Sequence, residues 1–356
     1  MTALPPATAD GTTVADFGER ALVVRVTARL TRPPWVTVGA GDDAAVLEPV
    51  PRTLEVLSTD ALVEGVHFDR RFCPPDAIGH KALAVNLSDL AAMGATPRAA
   101  LLSLMLPDAL PIADLDQLLD GLLRVARDHN IALVGGNMTR AGADGRGALI
   151  VSVTALGTVG RRNVLTRSGA RPGDDVYVTG SIGAGAVGLD SLRHSMETPG
   201  TPPETGAPST ALDACRARYL RPTPRVRAGM LLGRNRAATA CMDLSDGLAD
   251  AARQLASASK VGLTLDAAEL PIDDAVLAWH RDRGQDELTA VLAGGDDYEL
   301  LFTVRPGRPG RLRAVRRYAG GLPITRIGTV TRKRDLRLTT SDGDRGLPAG
   351  YEHFRS

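Results

Sequence analysis

The sequence predicts an α/β or α+β protein of two domains, on three observations. At 356 residues the chain exceeds what one hydrophobic core ordinarily organises. Hydrophobic residues make up 44%, yet aromatics are only 3% and glycines number 38, a composition suited to closely packed strand and helix layers. Apolar runs that read as strands also alternate with stretches of helical period.

In chain order, residues 1–15 are small, polar and proline-containing and read as a disordered tail. A helix is expected over 17–30. The acidic turn GAGDD leads into a strand at 44–47, and a strand at 54–57 runs into Ser58, Thr59 and Asp60, so both acidic groups are expected where strands meet turns. Apolar residues three or four apart predict a helix over 75–93, with Asp89 on it and able to point back at Asp60. Strands follow at 101–106, 131–134 and 149–159, with an amphipathic helix over 112–129. The Arg-, Gly- and Pro-rich run at 161–173 marks a boundary, giving a first domain at 16–160 and a second at 161–356. The second opens with a strand at 175–179 and carries a low-complexity loop at 198–210. A strand over 237–242 reaches Asp243-Leu-Ser-Asp246, and a helix continues to 258. A strand at 262–265, a helix over 274–283, a glycine turn at 293–297 running into a strand, and a strand at 324–330 complete it.

With 42 basic and 41 acidic residues the net charge is +1, so general binding of nucleic acid lacks bulk electrostatic support. Three cysteines, Cys73, Cys215 and Cys241, match neither a disulfide framework nor a zinc pattern and point to a reducing cytoplasm. The N-terminus lacks the pattern of a secretory leader, and no apolar run approaches a membrane span, so no membrane partner is expected.

The chemistry lies in carboxylates. Asp42 and Asp43, Asp60, Asp89, Asp243 and Asp246 could each be a helix cap or a solvated turn residue. Together, with Ser58, Thr59, Ser88 and Ser245 beside them, they form the oxygen-rich set that a hard cation such as Mg²⁺ prefers. Gly183-Ala-Gly185-Ala-Val-Gly188 follows a strand with the spacing of a dinucleotide turn, but no acidic residue follows at a second strand end, and a plain strand-to-helix turn explains it better. Of six histidines only His67, inside the acidic stretch, invites a functional reading. Arg140 and Arg167 adjoin glycine turns, where a guanidinium could clamp a phosphate. There is no phosphate-binding loop of the Gly-x4-Gly-Lys kind and no protein-kinase signature set.

Several blocks, GAGDDAAVL, STDALVEGVHF, KALAVNLSDLAAMGA, LVGGNMTR, MDLSDGL, GGDDYELLFTV and the terminal GYEHF, occur in an order that closely resembles the thiamine-monophosphate kinases. Their superfamily also holds aminoimidazole ribonucleotide synthetase, selenophosphate synthetase and a hydrogenase maturation protein. The resemblance spans residues 17–354. It implies the two-domain aminoimidazole ribonucleotide synthetase-like fold and a homodimer paired through N-terminal sheets. A C-terminal α/β domain would close over the substrate. It further implies ATP-dependent phosphorylation of thiamine monophosphate to thiamine diphosphate, assisted by several Mg²⁺ ions. By motif position Asp43, Ser58, Thr59, Asp60, Asp89, Asn137, Asp243 and Asp246 would hold metal. Gly136, Arg167 and Ser245 would contact ATP, and His67, Asp296 and Tyr351 the thiamine monophosphate. No side chain is implied as general base or covalent nucleophile. Two positions depart from the common pattern: Asn137 stands where Asp is frequent, and Asp296 replaces the usual Glu of GGEDYE. Another ATP-dependent member acting on a different acceptor, a non-catalytic nucleotide-binding protein and an oxidoreductase are the alternatives.

Overall fold

In the computed structural model, which describes residues 11–197, 209–307 and 309–350, the expected first helix is two: α1 (Val14–Phe17) and α2 (Glu19–Thr27). Gly18 divides them at φ 74°, a left-handed conformation that glycine adopts without a Cβ clash. Residues 1–10 of the expected tail lie outside the described ones. Its last residues differ from expectation: Val14 is buried, and its N–H donates to the Leu110 carbonyl at 2.9 Å.

By internal contacts the chain divides into two units, Met1–Leu87 with Pro97–Thr158, and Ser88–Thr96 with Val159–Ser356. In the first, β1 (Val36–Val38) and β2 (Val46–Leu47) form a small antiparallel pair. There follow β3 (Thr53–Val63), α3 (Pro75–Ala92), β4 (Thr96–Leu106), α4 (Ile112–Asp128), β5 (Ala132–Arg140) and β6 (Ile150–Gly160). Strands β3, β6, β4 and β5, in that order, make one sheet. Strands β4 and β5 are parallel and joined through α4, as a parallel pair requires a crossover. Strand β3 runs six residues beyond the predicted 54–57, so Asp60 lies inside a strand and not at its end.

Helix α3 was expected to show one apolar stripe. Instead Ile78, Leu83, Leu87 and Leu90 are buried together with Lys81, Asn86 and Ser88, the pattern of a helix covered on nearly every side. Its small residues allow this. A Cβ on Gly79 would overlap the Leu118 carbonyl, and one on Gly121 the Asp76 carbonyl, so α3 and α4 touch backbone to backbone. From Ser88 onward the helix belongs to the second unit.

The second unit contains β7 (Asp175–Thr179), α5 (Ala184–Glu197), α6 (Ser209–Leu220), α7 (Val226–Arg234), β8 (Ala240–Asp243), α8 (Leu248–Ser259), β9 (Gly262–Asp266), α9 (Asp274–Arg281) and α10 (Glu287–Ala293). It closes with β10 (Leu300–Val304), α11 (Pro309–Tyr318), β11 (Ile324–Thr331), β12 (Leu336–Thr340) and β13 (Gly343–Gly346). Most of the expected loop at 198–210 lies outside the described residues, but 209 and 210 begin α6. The seven-stranded sheet has the order β13-β12-β9-β11-β7-β10-β8. Strand β7 pairs antiparallel with both β10 and β11, and β12 runs parallel to β9. Val176, Val178, Leu263, Leu265, Leu301 and Ile327 supply its buried side chains. Helices α5, α8 and α9 add Val187, Leu255, Val276 and Trp279 to the same core.

Candidate functional site

In the second unit a carboxylate cluster assembles at the end of β8. Asp243 is its last residue and is 4% exposed. The Ser88 hydroxyl, from the end of α3, donates to Asp243 Oδ2 at 2.7 Å. Burial raises the Asp243 carboxyl well above the usual carboxylate range, and the negative charge of Asp89 adds to the effect, while Ser88 and Arg167 oppose it. Two carboxylates are therefore held close with too little positive charge between them. Arg167 is steadied by Nη1 donating to Gln254 Oε1 at 2.6 Å, and Gln254 in turn donates to Asp250 one turn earlier on α8.

The next residues form the rim. Ser245 Oγ donates to Asp246 Oδ2 at 3.2 Å. Asp296 N–H donates to the Ser245 carbonyl at 2.8 Å and Tyr298 N–H to that of Leu244 at 2.9 Å, so the GGDDYE loop is zipped to the Asp243–Asp246 turn. Asp296 and Tyr298 adopt φ 64° and 52°, unusual for non-glycine residues and for an aromatic one above all. The Tyr298 hydroxyl donates to Asp296 Oδ1 at 2.9 Å. Backbone strain of this kind persists where surrounding contacts over-determine it, and it concentrates at functional sites.

In the first unit Asp43, Gly136 and Asn137 line one groove of about 970 Å³, together with Ser103, Ser152 and Thr154. A Cβ at Gly136 would overlap the Leu102 carbonyl, so glycine is required for β4 and β5 to pair there. The alternating exposure along β3 places Thr59 on the opposite face from Ser58 and Asp60. The Thr59 hydroxyl meets that of Thr154 at 2.9 Å, on the groove side. The three neighbours therefore cannot all offer side-chain oxygens to one ion. His67 Nδ1 accepts from Val63 N–H at 3.1 Å, closing the turn after β3. Tyr351 lies outside the described residues. Among the described residues no three His, Cys, Asp or Glu side chains converge as a ready-made metal centre.

Two other expectations are resolved by hydrogen bonds. Arg140, a candidate phosphate clamp, is engaged by Asp108, with Nε at 2.9 Å from Oδ1. The glycine turn at 183–188 is occupied by the protein itself: Gly183 and Gly185 N–H groups donate to Asp297 at 2.7 and 3.2 Å. A carboxylate of the chain thus sits where a dinucleotide fold places pyrophosphate. Ser88, expected in the oxygen-rich set, serves here as a donor to Asp243, and Gln254 was not expected at all, its only signal being its i, i+4 spacing from Asp250.

Comparison with known proteins finds a match in each half of the chain. The family model described as "AIR synthase related protein, N-terminal domain" matches residues 41–159, and its C-terminal counterpart matches residues 171–341. Over 324 residues the chain is 38% identical to the thiamine-monophosphate kinase of Escherichia coli K12, covering 90% of this chain and 92% of that protein. The crystal structure of thiamine-monophosphate kinase from Stenotrophomonas maltophilia K279a superposes with a TM-score of 0.76 at 36% identity, over 92% of this chain and 97% of the other. The structure of AaThiL complexed with AMPPCP and TMP gives 0.72 at 31% identity, over 97% and 100%.

Proposed function

This chain belongs to the thiamine-monophosphate kinase family of AIR synthase-related proteins, and we propose that it transfers the γ-phosphoryl group of ATP to thiamine monophosphate, yielding thiamine diphosphate and ADP. The observation that carries this reading is the likeness, across the whole of that chain, to AaThiL complexed with AMPPCP and TMP.

The acceptor in this reaction is a phosphate whose second pKa of about 6 leaves it largely dianionic at neutral pH. It needs no general base and no covalent intermediate on the protein. The barrier is the approach of two anions, so catalysis rests on in-line positioning and on compensating charge. Residues 16–160 are assigned ATP and metal binding and dimerisation, and residues 161–356 the closure over substrate. Gly136, Arg167 and Ser245 are assigned to ATP, with Arg167 contributing a fixed positive charge. His67, Asp296 and Tyr351 are assigned to thiamine monophosphate.

The donor chemistry fits Mg²⁺. The buried Asp243 carboxylate has the Ser88 hydroxyl beside it and the partly exposed Asp89 carboxylate within electrostatic reach, and Mg²⁺ characteristically takes one or two carboxylates, keeps water, and completes its shell with substrate phosphate. Asp246 in the second unit and Asp43, Ser58, Thr59, Asp60 and Asn137 in the first would hold further ions. When bound, such ions supply charge neutralisation across the phosphates. The homodimer is supported by the apolar side chains Leu57, Leu101 and Met105 standing exposed on the four-stranded sheet, a surface that a second copy would cover. No described helix is long and apolar enough to cross a membrane, and the cytoplasm is the proposed compartment. The test is a chromatographic assay for thiamine diphosphate formed from ATP, Mg²⁺ and thiamine monophosphate. Tight ATP binding without ADP formation, or a product formed only on another acceptor, would refute the proposal.

A further inference from the structure

At the opposite end of β8 from Asp243, Arg236, Arg305 and Arg311 surround a cavity of about 210 Å³ whose floor includes Thr239. Four steps of extended chain lead from Thr239 to Asp243, about 13 Å at the rise of a strand, so these arginines stand apart from the Asp243 carboxylate. They come from three places: the end of α7, the residue after β10, and the first turn of α11, a helix packed against α7.

The pocket is built on a buried acid. Asp174 is 2% exposed and accepts from Thr239 Oγ1 at 2.7 Å and Arg171 N–H at 3.0 Å. Arg305 Nε lies 3.7 Å from its other oxygen, beyond hydrogen-bonding distance. Arg311 Nη1 donates to the Arg236 carbonyl at 2.9 Å, and among the described residues neither Arg236 nor Arg311 has a carboxylate partner. Three guanidinium groups against one carboxylate leave two positive charges facing the cavity. Cations do favour the C-terminus of a helix, which accounts for Arg236 on α7 but not for Arg305 and Arg311 arriving from the other side. The chain is basic here: residues 305–317 hold six arginines and no acid in a protein of net charge +1.

We propose that Arg236, Arg305 and Arg311 form a second anion site, separate from the phosphoryl-transfer groups, that takes a phosphate or pyrophosphate group. Guanidinium forks match such oxygens in pairs, and the uncompensated charge equals that of a phosphate dianion. The test uses inorganic pyrophosphate, titrated calorimetrically into the full chain at low salt with AMPPCP and thiamine monophosphate in excess to fill the substrate site. One pyrophosphate per chain is expected. Arg236→Gln with Arg305→Gln, both at exposed positions, should weaken it by about tenfold or more, with turnover unchanged within about twofold. Arg305→Lys, which keeps the charge and loses the fork, should fall between. Arg311→Gln serves as a second, independent variant, and thermal unfolding checks that each is folded. No binding by the wild type, equal binding by the double variant, or tight binding of a single-stranded RNA that pyrophosphate cannot displace would overturn the proposal.

Discussion

Replacing Asp297 with Asn isolates the electrostatic cost of the carboxylate that closes the α5 glycine turn. Burial raises the Asp297 carboxyl from 3.8 to about 7, although Arg218 and the N–H groups of Gly183 and Gly185 act in the opposite direction. The folded state therefore holds this proton more tightly than the unfolded chain does. Its contribution to stability is fully present below about pH 4 and is lost as pH rises through about 7. Between those limits the change is worth about 4 kcal/mol. Asn also exchanges one acceptor oxygen for an N–H₂ group facing a backbone N–H, a loss of about 1–3 kcal/mol that does not vary with pH. Urea unfolding of wild type and Asp297→Asn, measured every half pH unit from 4 to 8, separates the two effects. The wild type should lose its advantage steadily with rising pH, and the variant should equal or exceed it near pH 8. A difference between the two proteins that stays constant over this range, or that grows with pH, would refute the reasoning.

Three further outcomes are expected. Asp89→Asn and Asp246→Asn should each lower turnover by about a hundredfold at limiting Mg²⁺, and the proposed metal roles fail if either variant keeps wild-type rates there. Glu299 is wholly buried and accepts from Arg218, Arg225 and Thr179. Glu299→Ala leaves two guanidinium groups uncompensated and should cost about 3–5 kcal/mol of stability, read from the urea midpoint, while Glu299→Gln should cost less. Gly79→Ala drives a methyl group into the Leu118 carbonyl and should lower stability by about 1–3 kcal/mol without changing the Mg²⁺ dependence of turnover.

Strongly periodic segments were readable from the sequence alone. The strand expected at 175–179 is β7 to the residue, and the amphipathic helix over 112–129 is α4 less one residue. Helices α7 and α11 and strands β12 and β13 were not anticipated: polar strands such as GDRG carry little apolar period and depend on their neighbours for order, while α7 is short, although its Val226, Ala228 and Leu232 are buried at helical spacing. The carboxylates of the site were visible as residue types. Their membership of one oxygen-rich set was legible too, but not which of them interact: Asp243, more than 150 residues from Asp89, is the group whose titration registers Asp89. The meaning of the GxGxxG spacing was also hidden, since Asp297 lies more than 100 residues beyond the glycines whose N–H groups it accepts.

The position of β7 bears on how the chain folds while it is being made. This strand lies inside its sheet, yet both neighbours, β10 and β11, come more than 100 residues later. At a synthesis rate of about 5–20 residues per second, Val176 and Val178 would leave the ribosome several seconds or more before either partner. During that interval an apolar strand with two open edges is an invitation to wrong pairing. A nascent chain halted after β9 should therefore associate with holding chaperones or aggregate, while one extended past β11 should be released.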